Sequence, residues 1–276
     1  MPFRLARAFL RVSGPDAVSF LDNLVTQDVT KLAETGVQYA ALLSPQGKVI
    51  TDMFLWAERD RDEPSILIEL DPSRADDLFR RLSMYKLRAK VSVENASGGV
   101  HSVYDNAAFS SDLPDPRFPD FELGWRDFAA FPVEFADGTA AFEAHRLARG
   151  VPDLARDAAA EEVFAGEALL EELNGVDFQK GCFVGQENVS RMKRRATTRK
   201  KFCPVVFDGP APAYGSVIQA GAADIGHIRT GADGRATALL RLDRALAGDA
   251  LTAAGRAIRL DPPPWLILPQ REGADD

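Results

Sequence analysis

A cysteine set between two glycines is the feature of this sequence whose residue types point most directly to chemistry. Cys182 lies in the segment FQKGCFVGQENVSRMKRRATTRKK, residues 178–201. Gly181 and Gly185 permit backbone angles that other residues avoid, so KGCFVGQE is predicted to form a tight loop. A helix is predicted to begin just beyond it, at GQENVSRMKRR.

The charges around Cys182 favour a thiolate over a thiol. Lys180 precedes it and a basic run that begins at Arg191 follows it, and a thiol close to a helix N-terminus is stabilised in its ionised form. The pattern predicts a reactive or metal-ligating cysteine, whereas the alternative is a small residue buried under a turn. Cys203, in the apolar segment FCPVVF, is predicted to belong to the core.

The basic run covers residues 191–201, with seven basic side chains and no acidic one, in a chain whose formal net charge is -8. Such a concentrated positive potential suits an anionic tail, a phosphate or an acidic partner. The alternative is a solvated helix face that continues into a linker, as most charge runs are. The nearness of the run to Cys182 favours a binding site.

Asp52 is the one carboxylate that the sequence singles out. It stands alone in the apolar segment VITDMFLW, where a half-buried pocket would raise the pKa of its side chain, although such residues more often face water. His101, His145 and His227 have no ligand spacing, so no metal site is predicted. The sequence also lacks the usual nucleotide-binding and α/β-hydrolase motifs.

Length and composition predict a protein of several packed units that resides in the cytoplasm. With 276 residues, 46% of them hydrophobic, the chain can build more than one core. Its two cysteines are too few for a disulfide scaffold or for a cluster held by four thiolates of one chain. The acidic net charge argues against direct nucleic-acid binding, and no apolar run has the roughly 18 residues that a membrane span needs.

Hydrophobic periodicity predicts an α+β protein in three parts. Helical spacing from Ala17 to Val25 predicts an amphipathic helix, and two strands meet at the turn SPQG, where Pro45 and Gly47 supply the turn geometry. Short alternating strands between glycine-rich turns predict a small C-terminal β-barrel or sandwich. The predicted parts are two α+β units, residues 1–110 and 111–200, and a terminal β domain, residues 201–270.

Together these segments resemble the YgfZ-type family of the folate-binding fold, which is related to the aminomethyltransferase (T-protein) of the glycine cleavage system. KGCFVGQE is the hallmark of that family, and FLDNLVTQDV, ALLSPQGKVITDMFLW and HRLARGVPD are similar to family segments in the same order. The resemblance covers nearly the whole chain. It implies two α+β units and a β-barrel around a central channel in which tetrahydrofolate can sit.

The resemblance also implies roles for particular residues. Asp52 falls where the transferases keep their catalytic carboxylate, and Phe142 falls where relatives place a ring that stacks on the pterin. Ala148 replaces the acid that holds the pterin, and Arg7 stands where some relatives have tryptophan, which implies weak folate binding and a closer similarity to the mitochondrial branch. The predicted cofactor-binding signature around the cysteine comprises Lys180, Gly181, Gly185, Gln186, Glu187 and Arg191.

The family is implicated in making or maintaining iron–sulfur proteins, particularly those with [4Fe-4S] clusters, and through them in tRNA modification. We therefore expect an accessory factor for iron–sulfur assembly in which Cys182 and Asp52 carry the chemistry and client or assembly proteins are the partners. The alternative is a tetrahydrofolate-dependent one-carbon transferase, supported by Asp52. A third hypothesis, an RNA-binding accessory that uses residues 191–201, is opposed by the overall acidity.

Overall fold

The computed structural model describes residues 2–97, 99–103, 113–118, 123–129, 139–195 and 198–268. The strands are β1 (Pro2–Leu5), β2 (Ala8–Ser13), β3 (Val37–Leu43), β4 (Val49–Ala57), β5 (Ser65–Leu70), β6 (Ser92–Ala96), β7 (Gly99–Val103), β8 (Trp125–Ala129), β9 (Lys200–Val206), β10 (Val217–Ala220), β11 (Ala223–Ala232), β12 (Arg235–Arg241), β13 (Leu251–Ala253) and β14 (Arg256–Leu260). The helices are α1 (Ala17–Asp22), α2 (Leu32–Thr35), α3 (Pro72–Tyr85), α4 (Thr139–Ala148), α5 (Leu154–Asp157), α6 (Gln186–Arg195) and α7 (Leu242–Ala245), with a 3-10 turn at Val29–Lys31.

The strands form three sheets, which confirms the predicted α+β class and the predicted barrel. Five strands pair in the order β3-β4-β5-β2-β6, with every neighbouring pair antiparallel. Three more pair in the order β1-β7-β8, and the C-terminal strands close a barrel in the order β10-β11-β12-β9-β14-β13. The three-stranded sheet combines β1 and β7, from the range 1–110, with β8, from the range 111–200.

The hairpin of β3 and β4 forms around the SPQG turn. Gly47 has a φ of +80°, and its amide donates to the carbonyl of Ser44 at 2.8 Å. This left-handed backbone explains the glycine in the turn. The hairpin is the element that carries Asp52.

The five-stranded sheet separates two cores. Because side chains alternate along a strand, Tyr39 and Phe54 lie on the face that packs with the second unit and the barrel, whereas Met53 and Leu55 lie on the face covered by helices. Asp52 shares the face of Phe54. Its carboxylate therefore points towards the interior between the units.

The first helix is shorter than the sequence predicts. Helix α1 ends at Asp22, three residues before Val25, because Val25 leaves the helical path and forms a bridge with Leu42 of β3. At the start of the helix, the carboxylate of Asp16 accepts the amide of Lys90 at 2.7 Å and makes no cap within the helix itself. This hydrogen bond ties the start of α1 to a residue 74 positions later in the chain.

The segment HRLARGVPD joins α4 to the barrel. The guanidinium of Arg146 donates to the carbonyl of Val151 at 2.7 Å and to the hydroxyl of Thr230 at 3.0 Å. Asp157 lies 3.5 Å from the same guanidinium and accepts the Thr230 amide at 2.9 Å. In the described ranges, no helix is long and apolar enough to cross a membrane.

Candidate functional site

Cys182 lies on an exposed loop whose neighbouring side chains are buried. Lys180 and Phe183 are both buried, whereas the Cys182 thiol is open to solvent. Cys203 is buried in β9, as its apolar surroundings predict, and burial raises the pKa of its thiol to about 12. Of the two thiols, only that of Cys182 can therefore meet another molecule without unfolding.

The side chain of Lys180 anchors the loop to the segment after α1. Its ammonium donates to the carbonyls of Val25 at 2.9 Å and Gln27 at 2.6 Å, and to that of Asp22. Burial lowers the pKa of Lys180, and the Asp22 carboxylate, 3.2 Å away, opposes that shift. An ammonium has three donors, and three carbonyls take them. The side chain of Lys180 is therefore a structural anchor in this structure, and its cofactor-binding role stays a prediction.

The two glycines around Cys182 differ in whether the fold could accept a larger residue at their positions. Gly185 has a φ of +83°, and a Cβ there would lie 2.6 Å from the carbonyl oxygen of Ser44 in the hairpin turn. A Cβ on Gly181 would meet no heavy atom within 4 Å, and its φ is outside the left-handed region. The prediction that both glycines supply backbone angles closed to other residues is correct for Gly185 and wrong for Gly181.

The rest of the predicted signature lies on the first turns of α6. Gln186 donates its amide to the carbonyl of Gly181 at 3.3 Å and so closes the loop. Glu187 and Arg191 are exposed, and Arg191 donates to Asn188. These side chains surround the Cys182 loop, and none of them lines the cleft beside Asp52.

The basic run divides into anchored and exposed members. Lys201 is buried in β9 and pairs with Glu172. Lys193 pairs with Glu171 at 2.7 Å, and its ammonium lies 3.6 Å from the ring centroid of Phe178. The exposed arginines of the run are Arg191, Arg194, Arg195 and Arg199. Part of the run is therefore structural, and the rest is available on the surface.

Asp52 is half-buried in β4 and accepts the hydroxyl of Tyr39 at 3.0 Å. Burial raises its pKa, as does the charge of Asp153, while Arg7 and the bond from Tyr39 oppose the shift. This geometry agrees with the hypothesis of a half-buried carboxylate and excludes the alternative in which Asp52 simply faces water. A small cleft of about 10 Å³ lies beside it.

A buried ion network that was not predicted from the sequence lies on the same face of the five-stranded sheet as Asp52. Glu69 of β5 accepts from Arg7 at 2.7 Å, from the indole of Trp56 at 3.0 Å, and from Arg126. Arg126 lies 3.2 Å from Asp115 as well. Burial raises the pKa of both carboxyls, but the neighbouring arginines outweigh it and lower both values, that of Asp115 to about 2. The signal was present, since Glu69 stands alone in the apolar segment SILIEL.

Guanidinium groups fill the space over Phe54, next to Asp52 on β4. The guanidinium of Arg126 is 3.7 Å from the ring centroid and that of Arg117 is 5.1 Å away. Arg117 in turn donates to Asp115 at 2.9 Å and 2.8 Å. We call Glu69, Asp115, Arg7, Arg117 and Arg126 the central ion network. The protein's own side chains thus occupy the interior near Asp52.

The described residues do not fit tetrahydrofolate. Ala148 is exposed at the end of α4 and offers no acceptor for a pterin NH. Phe142 is 9% exposed and packs into the main core, and its stacking on a pterin stays a prediction. The cleft beside Asp52 has a volume of about 10 Å³, which is room for roughly one water molecule, whereas small-molecule sites typically have roughly 300–1,000 Å³.

A metal ion would also lack a ligand set in the part of the chain that the structure describes. No group of three or more His, Cys, Asp or Glu side chains there is arranged to hold one. Any metal that meets Cys182 would therefore need most of its ligands from another molecule.

Two family models and a solved structure match this architecture. The GCVT N-terminal domain matches residues 8–103, and the CAF17 C-terminal beta-barrel domain matches residues 199–267. The crystal structure of the glycine cleavage system aminomethyltransferase T from Bartonella henselae superposes with a TM-score of 0.75 at 17% identity, covering 96% of this chain and 86% of that one. The fold is therefore that of the aminomethyltransferases, with a closed C-terminal barrel.

Curated relatives are named for a different activity. The human iron–sulfur cluster assembly factor IBA57, mitochondrial, is 31% identical over 86% of this chain and 76% of its own length. Its homolog in Pyricularia oryzae is 32% identical over 73% of this chain, which spans only 56% of that relative. The chain belongs to the IBA57 family of iron–sulfur cluster assembly factors.

These names bear on two of the predictions. The prediction of a role in iron–sulfur protein assembly agrees with them. The prediction of a cytoplasmic location is wrong on this comparison, because the named relatives are mitochondrial proteins. The family assignment rests on IBA57 and CAF17 descriptions, and the YgfZ label is a resemblance that they do not carry.

Proposed function

We propose that this chain acts in the assembly of iron–sulfur proteins and that the thiolate of Cys182 is a temporary ligand of the cluster in transit. The observation that carries the proposal is the exposed thiol on a loop that is held from both sides. Lys180 fixes the loop before the cysteine, and Phe183 and Gly185 fix it after the cysteine. Such anchoring presents the sulfur at a defined position without burying it.

The proposed step is a ligand exchange. A bond forms between the sulfur of Cys182 and a cluster iron, while one bond from that iron to a ligand of the donor breaks, and neither iron nor sulfur changes oxidation state. One thiolate cannot hold a cluster alone, so thiolates of a partner protein or of glutathione complete the coordination. The cluster is cargo, and this accounts for a site with a single thiol.

The exposed arginines of α6 suit the approach of an acidic partner. Arg194 and Arg195 follow the loop within one helix, and the chain as a whole is acidic, with a formal net charge of -8. A local positive surface on an acidic protein orients an acidic partner and raises its association rate. Binding that depends on salt concentration is the expected consequence.

Folate has no necessary part in this proposal. The one-carbon transferase remains the second candidate because Asp52 keeps a raised pKa in a half-buried position. Its difficulty is the absence of an acceptor at Ala148 and the filled space around Phe54. Preference for [4Fe-4S] clients, an indirect effect on tRNA modification and kinship with the YgfZ branch rest on the resemblance of the KGCFVGQE segment.

The glutathione-ligated [2Fe-2S] complex is a suitable probe of the ligand exchange. It would be mixed anaerobically with the full-length protein, and the visible circular dichroism of a protein-bound cluster would be recorded. We expect the signal with the wild type and with Gln179→Ala, an exposed neighbour in the same loop, and at least a tenfold weaker signal with Cys182→Ser. An equal signal from Cys182→Ser would contradict the proposal.

A further inference from the structure

The C-terminal end of α3 carries an apolar surface that neither fold nor proposed function explains. Met84, Tyr85 and Leu87 are 63%, 38% and 90% exposed, and they are three of the six large hydrophobic side chains that are exposed in the described residues. The other three are Tyr214, Val217 and Ile267, in the C-terminal part of the chain. Clustered exposed apolar side chains mark interaction sites, whereas scattered ones do not.

Leucine is also an unfavourable residue for the backbone conformation at position 87. Leu87 follows Lys86, the C-cap of α3, and has a φ of +29°. Helices commonly end on such a left-handed residue, but glycine or asparagine is the usual choice, because a bulky side chain is strained there. The backbone conformation favours glycine or asparagine at this position. The leucine side chain is 90% exposed, so it adds no stability through burial. A leucine that satisfies neither preference indicates a use outside the fold.

The segment that carries these side chains is basic. The segment RRLSMYKLRAK, residues 80–90, contains five basic residues and no acidic one. Arg81 pairs with Asp77 and Glu161, and Arg80 pairs with Asp77 at 3.1 Å. The cations furthest along the segment are Lys86, Arg88 and Lys90. The patch is therefore an apolar centre with a basic rim.

The patch is distinct from the Cys182 loop. Asp16 accepts the amide of Lys90 at one end of α1, and Asp22 contacts Lys180 at the other end. Helix α1 has six residues, which is about 9 Å of helix. The two surfaces thus lie at opposite ends of the same short helix.

We propose that Met84, Tyr85 and Leu87, with the cations of residues 80–90, form a docking surface for an acidic protein segment that carries an apolar side chain. Tyr, Met and Arg are the residues enriched at protein interfaces, and a basic rim selects an acidic partner. A lipid surface suits the patch less well, because three apolar side chains bury little area in a bilayer. This surface acts independently of the cluster ligand and leaves the chemistry of Cys182 unchanged.

A peptide-display selection on the full-length protein tests the surface. Random 16-residue peptides would be selected on the wild type and depleted on Leu87→Gly. We expect enriched peptides with an excess of Asp and Glu around an aromatic or aliphatic residue, and at least tenfold weaker binding of these peptides to Leu87→Gly and to Lys86→Glu/Arg88→Glu. No enrichment, or enrichment of neutral or basic peptides, would overturn the proposal.

The choice of Leu87→Gly separates binding from folding. Glycine suits the positive φ, so the melting temperature of this variant is expected to equal or exceed that of the wild type. Two further measurements address other occupants. Co-sedimentation with vesicles containing 30% phosphatidylserine, lost in Leu87→Gly, would replace the protein partner with a lipid surface, and concentration-dependent dimerisation lost in the same variant would replace it with a second copy of this chain.

Discussion

The interior around Asp52 and the surface around Cys182 are both candidate sites, and they differ in what their polar groups already contact. Around Asp52, Tyr39 donates to the carboxylate, and the adjoining Glu69 accepts from three partners. At the loop, Lys180 is fully engaged while the thiol of Cys182 is exposed. The first site is completed by the chain itself, whereas the second is open to another molecule.

This difference shows that a shared fold does not imply a shared functional site. The aminomethyltransferase architecture is intact, but its interior near Asp52 holds arginines stacked over Phe54. Buried charges require partners, and here the partners come from within the protein. The chain thus has the fold of the transferases, and the thiol of Cys182 is exposed on its surface.

The largest expected effect comes from opening the central ion network. Arg126→Met leaves the carboxylates of Glu69 and Asp115 short of a partner in a buried place, which should cost about 3–5 kcal/mol of unfolding free energy. Urea denaturation followed by circular dichroism measures it. The control is Arg194→Met on the exposed face of α6, expected within about 0.5 kcal/mol of the wild type. A loss below about 1 kcal/mol in Arg126→Met would mean that water reaches the network.

The next effect tests the anchor of the loop. Lys180→Met removes the donor to the carbonyls of Asp22, Val25 and Gln27, and we expect a loss of about 2–3 kcal/mol in the same assay. Lys90→Met, at an exposed lysine, is the matched control. If both lysine variants unfold at the same urea concentration, Lys180 does not anchor the loop.

A smaller effect distinguishes the two glycines. Gly185→Ala forces a Cβ against the carbonyl of Ser44 at a positive φ and should cost about 2 kcal/mol. Gly181→Ala meets open space and should change stability by less than about 0.5 kcal/mol. Melting temperatures of the two variants measured side by side provide the check, and a larger loss for Gly181→Ala would invert the assignment.

The smallest expected effect is a difference in how the stabilities of two variants, one at Asp52 and one at Asp115, depend on pH. The folded-state pKa of Asp52 is raised, so its ionisation destabilises the fold as pH rises through that pKa from the unfolded value of about 3.9. Asp52→Asn should therefore melt slightly above the wild type at pH 7, and the gain should vanish near pH 4.

Asp115 is the control for this pH dependence, because its shift has the opposite sign. Its pKa is lowered to about 2, so its ionised form stabilises the fold above the unfolded pKa, and that contribution is lost as pH falls through the folded value. Asp115→Asn should melt below the wild type at pH 7. If the two variants shift in the same direction at pH 7, the contrast between the two carboxyls is incorrect.

Local signals in the sequence were enough to predict much of the architecture. The turn SPQG placed the β3–β4 hairpin, the glycine-rich spacing predicted the barrel, and GQENVSRMKRR predicted α6. The apolar surroundings of Cys203 indicated its burial. Each of these features depends on residues that are close together in the chain.

Contacts between distant segments could not be predicted in the same way. Lys180 donates to carbonyls more than 150 positions earlier, which are backbone groups without a sequence signature. One of the partners of Glu69, Arg126, is 57 positions away in β8. Gly185 lies against the hairpin turn at Ser44, whereas Gly181 does not. This difference arises from the folded structure and has no signature in the sequence.

The central claim is that Cys182 and not Asp52 carries the function, and complementation in a deletion strain tests it most directly. The activity of a [4Fe-4S] enzyme would be measured with Cys182→Ala, Asp52→Asn and the wild type at matched abundance and melting temperature, since an unstable variant would imitate a loss of function. We predict that Cys182→Ala fails to restore the activity and that Asp52→Asn restores most of it. Restoration by Cys182→Ala together with failure of Asp52→Asn would contradict the account and favour the one-carbon transferase.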